Sequence, residues 1–324
     1  MNPDDHTFFR GAALSSDRFV AVAFVDALER PSEPSSRMIL TEFDAASGIW
    51  ASHQQDDLQI NALERFFTPE GIQGRALSEE GAIIDTGSGE QVGQTNAQGT
   101  MFAGLASNAT NIVAAGHGGY YYRSQSGRDF GLITSDPIYE RPKFGADPEA
   151  FSDYYESQTI VFEVAMNDSW LLAIASDQEG QTLSSRGNLE TYPNARIVVG
   201  VTWDNATNAF WFCGHSPDAQ VFRLDPPMGI KRVFHAQSER PVFASVAIVR
   251  GPIWVGEYGM NDGGVWAAPV SAPEALRPID LPQNYPASPV WKIATHEDAL
   301  WVLRSKDLLR LQKDTRERFV PPNG

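Results

Sequence analysis

A hairpin pattern recurs seven times along this chain, and that repetition limits the possible folds more than any other feature. Each copy has a small or polar residue, an apolar run, a tight polar turn and a second apolar run, and the copies begin at Gly11, Gly74, Gly104, Glu163, Gly200, Ser245 and Lys292. Short runs rich in Val, Ile, Phe and Trp between Gly, Pro, Asn and Asp are typical of strands and turns. The repetition therefore predicts an all-β chain with a radial architecture.

The C-terminal half shows what one repeat contains. From Val198, four strand-like segments follow one another, VVGVTW, AFWFCGH, AQVFRLD and GIKRVFHA, with polar turns between them. Repeats in this half are spaced by roughly 40 residues, which is the spacing of propeller blades. We therefore predict one domain over residues 1–324, a single β-propeller whose blades have about four antiparallel strands each. The predicted blades number seven and start near residues 11, 74, 104, 163, 200, 245 and 292.

The repeats resemble a known group of folds. A polar turn followed by ALWVL and then by a strand ending in LLRL, as in residues 297–311, resembles β-propellers of the WD-repeat and YncE-like kind. The resemblance implies the fold and no particular activity, because no Trp-Asp signature recurs at the blade ends. Six or eight blades, a β-sandwich and a solenoid are the alternatives. A sandwich rarely needs so many strands, and a solenoid has a shorter period.

One segment resembles the Asp-box turn of other propellers, in which Ser-x-Asp-x-Gly-x-x-Trp closes a hairpin. In SQSGRDF, Ser124 takes the place of the serine, Gly127 that of the glycine and Phe130 that of the aromatic residue. The spacing is one residue short, and Ser126 stands where the aspartate is expected. In that family the box is structural, so the resemblance implies a turn and not an activity.

Composition limits the class of partner. The chain has 41 Asp and Glu against 25 Lys and Arg, a net charge of −16, which argues against nucleic acid and anionic membranes and favours a basic protein. With 42% hydrophobic residues the chain can bury a large core.

The single cysteine, Cys213, lies in an apolar run and is predicted to be a buried small hydrophobe. The sequence has neither a signal-peptide pattern nor a membrane-length apolar run, so we expect a cytoplasmic protein.

Two long inter-blade loops are predicted, over residues 53–73 and 136–158. The first has Leu58, Ala62, Leu63 and Phe66 at near-helical spacing, which is typical of a short amphipathic helix. The second interleaves acidic and aromatic residues, a combination that suits a protein interface. Connectors of this length are usually functional or disordered. In propellers they emerge on the same face as the mouth of the central channel. The predicted partner-binding residues are Asp56, Asp57, Tyr139, Phe144, Asp147, Glu149, Phe151, Asp153, Tyr154 and Tyr155. In the alternative interpretation, the rings pack the second loop onto its own propeller and the acids are solvated.

Catalytic patterns are sparse. The six histidines are scattered, and neither a G-x-S-x-G elbow nor a P-loop is present. Metal-dependent propeller hydrolases hold a cation near the channel with carboxylate and amide oxygens, and Glu163, Glu257 and Asp262 are the candidates for that chemistry here. Glu163 and Lys292 stand where the other repeats have small residues, which predicts that the two side chains either form an ion pair across the channel or close it. We predict no catalytic residue, no cofactor and no resident metal.

Two hypotheses of function follow. The first is a non-catalytic acidic propeller that binds a basic protein, and its specific form is a bacterial immunity protein that neutralises a toxin such as a nuclease. The second is a cation-dependent hydrolase of the lactonase type with its site in the central channel. A scaffold subunit of a larger complex is not distinguished from the first hypothesis by the sequence.

Overall fold

The computed structural model describes residues 6–25, 37–55, 58–95, 101–117, 120–134, 160–169, 171–176, 181–183, 189–191, 198–214, 219–225, 230–236, 241–259, 263–281, 285, 288–312 and 315–321. The strands in these ranges form seven four-stranded antiparallel sheets, and in each sheet the strands are paired in chain order. We refer to the sheets as blades 1 to 7 in chain order. None of the described segments is a helix long and apolar enough to cross a membrane.

The strands are numbered β1 to β28, four to a blade. The first strands of the blades are β1 His6–Ala13, β5 Ile60–Thr68, β9 Phe102–Ser107, β13 Ile160–Met166, β17 Val198–Asp204, β21 Phe243–Ile248 and β25 Val290–His296. The second strands are β2 Arg18–Val25, β6 Gly71–Ser78, β10 Ile112–Gly116, β14 Leu171–Ser176, β18 Ala209–Gly214, β22 Pro252–Glu257 and β26 Ala299–Arg304.

The outer half of each blade is made by its third and fourth strands. The third strands are β3 Arg37–Asp44, β7 Ala82–Asp85, β11 Tyr120–Ser124, β15 Gln181–Leu183, β19 Gln220–Leu224, β23 Val265–Pro269 and β27 Leu308–Gln312. The fourth strands are β4 Ile49–Gln55, β8 Gln91–Gln94, β12 Gly131–Thr134, β16 Leu189–Thr191, β20 Ile230–His235, β24 Arg277–Pro278 and β28 Thr315–Phe319. A short 3-10 helix, Pro273–Ala275, lies between β23 and β24.

The blades form a closed ring. Each first strand contacts the first strands of the two neighbouring blades, and β25 contacts β1 to complete the circle. Apolar side chains from each pair of adjacent blades form one buried cluster, so seven clusters separate the seven sheets. The all-β fold, a single propeller with four-stranded antiparallel blades, is thereby confirmed.

The first and last blades are each built from one continuous stretch of chain, so contacts between blades 1 and 7, and not a shared sheet, close the ring. The Trp301 indole of blade 7 donates to the Ser15 carbonyl at 3.2 Å, in the first turn of blade 1. Arg310 forms an ion pair with Asp17 in the same turn. On the backbone, the Phe8 N–H donates to the Ser305 carbonyl at 3.0 Å. These polar links and an apolar cluster that contains Trp301 therefore join the two ends of the ring.

The second blade corrects the sequence analysis. Residues 53–73 do not form a long loop with an amphipathic helix: β4 ends at Gln55 and β5 covers Ile60–Thr68. The predicted blade start at Gly74 lies in the second strand, β6. The strand was missed because β5 packs against both neighbouring blades, so its burial lacks a simple alternation and mimics helical spacing.

Every first strand has a β-bulge near its start. The pairing with the second strand skips one residue in each blade, and the skipped residues are Phe9, Asn61, Ala103, Phe162, Val199, Ala244 and Trp291. A bulge bends a strand and increases its twist, and bulges are common at barrel rims and beside active sites. The shared bulge defines one equivalent position in all seven blades, the residue that follows it.

Aspartate side chains shape three of the hairpin turns. Asp44, Asp85 and Asp204 each accept a hydrogen bond from a backbone N–H two or three residues ahead, at distances of 2.9, 2.9 and 3.0 Å to Ala46, Ser88 and Thr207. The fifth residue of each turn has a positive φ, and these residues are Gly48, Gly89 and Asn208. The pattern Asp-x-x-(Ser or Thr)-(Gly or Asn) therefore marks a hairpin turn in this chain.

The Asp-box-like segment also forms a turn, between β11 and β12. The Ser124 hydroxyl accepts from the Gly127 N–H at 2.9 Å, Gly127 has a φ of 70°, and Phe130 is buried. Cys213 is fully buried as predicted, and burial raises the pKa of its thiol.

Candidate functional site

A central cavity lies where the seven first strands meet. It has a volume of about 520 Å³ and is lined by residues of all seven first strands. Each first strand is the edge of its sheet, so its unpaired backbone N–H and C=O groups face this space. Ligand sites in proteins commonly have volumes of roughly 300–1,000 Å³, and the cavity falls in that range.

We call the residues after the seven bulges the inner ring; all of them except Gly200 and Ser245 line the cavity. In chain order the inner ring consists of Arg10, Ala62, Gly104, Glu163, Gly200, Ser245 and Lys292. Blades 2, 3, 5 and 6 thus have small residues at this position, while blades 1, 4 and 7 have charged ones. The repeat pattern predicts Gly11 and Gly74 at this position, and both assignments are wrong, because a bulge shifts the register by one residue in β1 and because Gly74 lies in the second strand of its blade.

Glu163 and Lys292 form an ion pair between blades 4 and 7, as predicted. The second carboxylate oxygen of Glu163 accepts a hydrogen bond from the Val201 N–H of blade 5 at 3.2 Å. Burial lowers the pKa of Lys292 to about 8; Arg10 acts in the same direction, and Glu64 opposes both. The pair therefore holds a carboxylate and an ammonium group in a confined space.

Arg10 provides a second cation at the inner ring. Its Nε donates to the Asn61 carbonyl of blade 2 at 2.9 Å, and its guanidinium lies over the Phe9 ring. Within the described part of the chain, its two Nη nitrogens have no hydrogen-bond or ion-pair partner. Arg10 is an exposed residue that lines the cavity, so its free donors are open to cavity solvent.

Glu64 and Arg65 extend the charged lining beyond the inner ring. Glu64 accepts from the Arg65 N–H at 3.1 Å and from the Ser107 hydroxyl at 3.3 Å. Burial raises the pKa of Glu64, while Arg65 and Lys292 partly offset that effect. Arg65 donates to the Thr295 carbonyl at 3.1 Å. The lining therefore contains three basic groups, Arg10, Arg65 and Lys292, against the carboxylates of Glu64 and Glu163 in its interior.

The turns between first and second strands form one mouth of the cavity. Asn108, Asp168 and Asn205 from three of these turns belong to the lining. Exposed acidic residues occur in the corresponding turns of blades 1, 2, 4 and 7, and these are Asp17, Glu70, Asp168 and Glu297. Of these four acids, Asp168 lines the cavity itself, and Asp17 is paired with Arg310. We call the end of the ring that has these turns the acidic mouth; the cavity interior has three basic groups against two carboxylates.

The predicted partner-binding residues are not tested by the described structure. Asp56, Asp57, Tyr139, Phe144, Asp147, Glu149, Phe151, Asp153, Tyr154 and Tyr155 all lie outside the described residues. The acidic turns beside the mouth were missed because each contains only one or two acids. Their proximity becomes visible only when the blades are arranged in a ring.

The candidate metal ligands are not brought together. Glu163 lines the cavity, whereas Glu257 ends a second strand and accepts from the Trp266 indole at 2.7 Å. Asp262 lies outside the described residues. In the part of the chain that the structure describes, no group of three His, Cys, Asp or Glu is placed to hold a metal ion.

Comparison with known proteins supports the fold. Neither a protein-family model nor a curated protein sequence matches the chain. A chain in the crystal structure of the mitotic checkpoint complex is similar over 97% of this chain and 89% of its own length, with a TM-score of 0.63 and 14% identity. YCF48 bound to D1 peptide is similar over 98% and 94%, with a TM-score of 0.61 and 12% identity. The computationally designed Ika8 protein is similar over 95% and 84%, with a TM-score of 0.55 and 10% identity. At these identities the similarity shows the propeller fold alone.

Proposed function

We propose that this chain is a non-catalytic, protein-binding propeller whose partner is a basic protein. The observation that carries the proposal is the acidic mouth: Asp17, Glu70, Asp168 and Glu297 come from four different blades and face the same end of the ring. A chain of net charge −16 repels nucleic acid and attracts basic surfaces.

Two structural relatives support binding of a protein by this architecture. YCF48 is a propeller of similar extent that binds a D1 peptide, and another relative is part of the mitotic checkpoint complex. A protein partner for the present chain is our inference from its charge and shape.

Within this proposal, the more specific function is that of a bacterial immunity protein that neutralises a basic toxin such as a nuclease. Acidic groups around one mouth steer a basic partner toward that face and accelerate its association by roughly 10- to 1,000-fold at low salt. Steering of this kind is valuable to an inhibitor, since it must bind its toxin before the toxin reaches its target. Segment 136–158 joins β12 to β13 at the end of the ring opposite to the acidic mouth. Its aromatic residues are therefore proposed as anchors of a second contact with the partner, because rings dominate the binding energy of many interfaces.

Affinity capture from native cells at near-physiological salt, followed by mass spectrometry, would identify the partner. We expect one stoichiometric basic protein, and a toxin or nuclease domain would support the immunity function. Recovery of the bait without a partner, or of an acidic partner, would contradict the proposal.

Paired charge reversals then test the face. Glu70→Lys with Asp168→Lys reverses two acids at the acidic mouth. The control, Glu80→Lys with Asp280→Lys, makes the same change in net charge at two exposed acids that lie outside the turns between first and second strands. We expect the mouth variant to associate with the captured partner at least about tenfold more slowly at low salt, and the control to change much less. Equal slowing in both variants would show an effect of net charge and remove the mouth from the interface.

Tyr154→Ala with Tyr155→Ala tests the proposed anchors. We expect partner binding to be lost while the thermal unfolding profile stays unchanged. An unchanged affinity would exclude these two rings from the interface and leave the acidic mouth as the remaining candidate surface.

A further inference from the structure

The cavity interior has the opposite charge to the rest of the molecule. The chain as a whole has 41 acidic and 25 basic residues, yet the groups of the inner ring are Arg10 and Lys292 against Glu163 alone. Placing two cations together in a confined space has an electrostatic cost, and Arg10 contributes to the lowered pKa of Lys292. The cavity of about 520 Å³ beside these groups has room for a small ligand.

The existing ion pair shows how a carboxylate is bound in this cavity. One oxygen of Glu163 lies against the Lys292 ammonium, and the other accepts from the Val201 N–H on an exposed strand edge. Ser245, at the same level, accepts from the Ile293 N–H at 3.0 Å. Side-chain oxygens at the inner ring are thus bound by backbone N–H groups of the neighbouring first strands.

Arg10 has the donors that a second oxyanion needs. Only its Nε is used, and both Nη nitrogens lack a partner among the residues that the structure describes. A guanidinium with free Nη groups is suited to two parallel hydrogen bonds with a carboxylate or phosphate. The Lys292 ammonium can donate three hydrogen bonds, and its one identified partner in the described part of the chain is Glu163.

We propose that the inner ring is a binding site for an oxyanion, a carboxylate or phosphate group, held by the Arg10 guanidinium with Lys292 beside it. The Glu163 carboxylate competes for Lys292, so it limits the affinity of the site. The site is independent of the acidic mouth, and it takes an anion where the mouth takes cations.

Isothermal titration calorimetry with citrate and with inorganic phosphate tests this site, at constant ionic strength set with chloride. We expect saturable binding of at least one of the two anions to the wild-type chain. Arg10→Gln should weaken it by at least about tenfold, because a neutral amide replaces a guanidinium. The matched control is Arg277→Gln, an exposed arginine of β24 that is remote from the cavity lining, and it should bind like the wild type.

Glu163→Gln provides a test in the opposite direction. Removal of the competing carboxylate frees the Lys292 ammonium, so anion binding should tighten several-fold. This gain keeps the proposal testable even if Arg10→Gln destabilises the fold. The proposal is overturned if neither anion binds saturably, if Arg10→Gln binds as well as the wild type, or if Glu163→Gln does not bind more tightly.

The anion has two possible sources, a free small molecule or a carboxylate of a protein partner, and the captured partner separates them. If Arg10→Gln loses citrate or phosphate binding but keeps the partner, the ligand is a free small anion. If both are lost, and citrate competes with the partner in the wild type, the partner supplies the oxyanion. A failure to find any partner would contradict the proposed function and leave the titration result unaffected.

Discussion

The inner ring contrasts two kinds of blade at one backbone position. In blades 2, 3, 5 and 6 the residue after the bulge is Ala62, Gly104, Gly200 or Ser245, and in blades 1, 4 and 7 it is Arg10, Glu163 or Lys292. The small residues permit close packing: a Cβ at Gly200 would lie 2.8 Å from the Ser245 Cα of the next blade. The charged residues instead line the cavity. The same structural position therefore maintains the ring in four blades and creates a polar site in three.

The largest effect on stability should come from adding a methyl group to an inner-ring residue in one of the blades where that residue is small. In Gly200→Ala the new Cβ would meet the Ser245 Cα at 2.8 Å and the Ala244 carbonyl oxygen at 3.0 Å, and neither backbone atom can rotate away. We expect a loss of about 2–3 kcal/mol in the free energy of unfolding, measured by urea titration.

Gly131→Ala in β12 is the matched control, because nothing lies within 4 Å of its Cβ position. It should be neutral or slightly stabilising. Similar destabilisation by the two substitutions would show that the close approach of blades 5 and 6 is not what requires glycine.

A smaller effect on stability is expected when a charged inner-ring residue is replaced. Lys292→Met leaves the Glu163 carboxylate without its ion-pair partner. The side chains are 25% and 19% exposed for Lys292 and Glu163, so solvent screens part of the loss and we expect about 1–2 kcal/mol. Adding Glu163→Gln should restore part of that stability, because the double variant no longer confines an unpaired charge. Additive single effects in this cycle would mean that the two groups do not interact energetically.

Ser245 is intermediate between the two kinds of blade, since it is small but polar. Its hydroxyl accepts from the Ile293 N–H at 3.0 Å and donates to the Ile293 carbonyl at 3.3 Å, linking blades 6 and 7. Ser245→Ala should cost about 1 kcal/mol in unfolding free energy. Ser16→Ala, where the hydroxyl makes a 3.3 Å contact with neighbouring Asp17, should cost less. A Ser245→Ala variant as stable as the wild type would show that the link between these blades is unimportant.

The sequence predicts most of the fold for a physical reason. The predicted starts at residues 104, 163, 200, 245 and 292 all lie within first strands, because apolar strands and polar turns alternate there with little interruption. The same reasoning fails at β5, where burial on both faces removes the two-residue period. A strand can therefore be predicted from its sequence where one face is buried and the other is exposed, and the prediction is ambiguous where both faces are buried.

The site is less predictable than the fold. Glu163 and Lys292 were recognisable as charged residues in a set of small ones, and their ion pair followed from that contrast. Arg10 was missed because the bulge at Phe9 shifts the alignment by one residue, so Gly11 was compared in its place. A bulge depends on how two strands pair, so it cannot be predicted from the amino-acid sequence of one strand alone. The acidic mouth was missed for a related reason, since it is assembled from turns that are far apart in the chain.

The smallest effect is the pH dependence of stability that arises from the ammonium group of Lys292. Burial lowers the pKa of Lys292 from its usual 10.5 to about 8, so between about pH 8 and 10.5 the folded chain binds fewer protons at this site than the unfolded chain. Stability from this group should therefore rise with pH across that window. The difference in unfolding free energy between the wild type and Lys292→Met should change in favour of the wild type from pH 7.5 to 9.5. Glu163→Gln should lower the pKa of Lys292 further, because a negative charge beside the ammonium is lost, and NMR titration of labelled lysine would measure it. A pKa near 10.5 in the wild type, with no change in the variant, would mean that the inner ring is open to bulk water and that its charged blades do not act on one another.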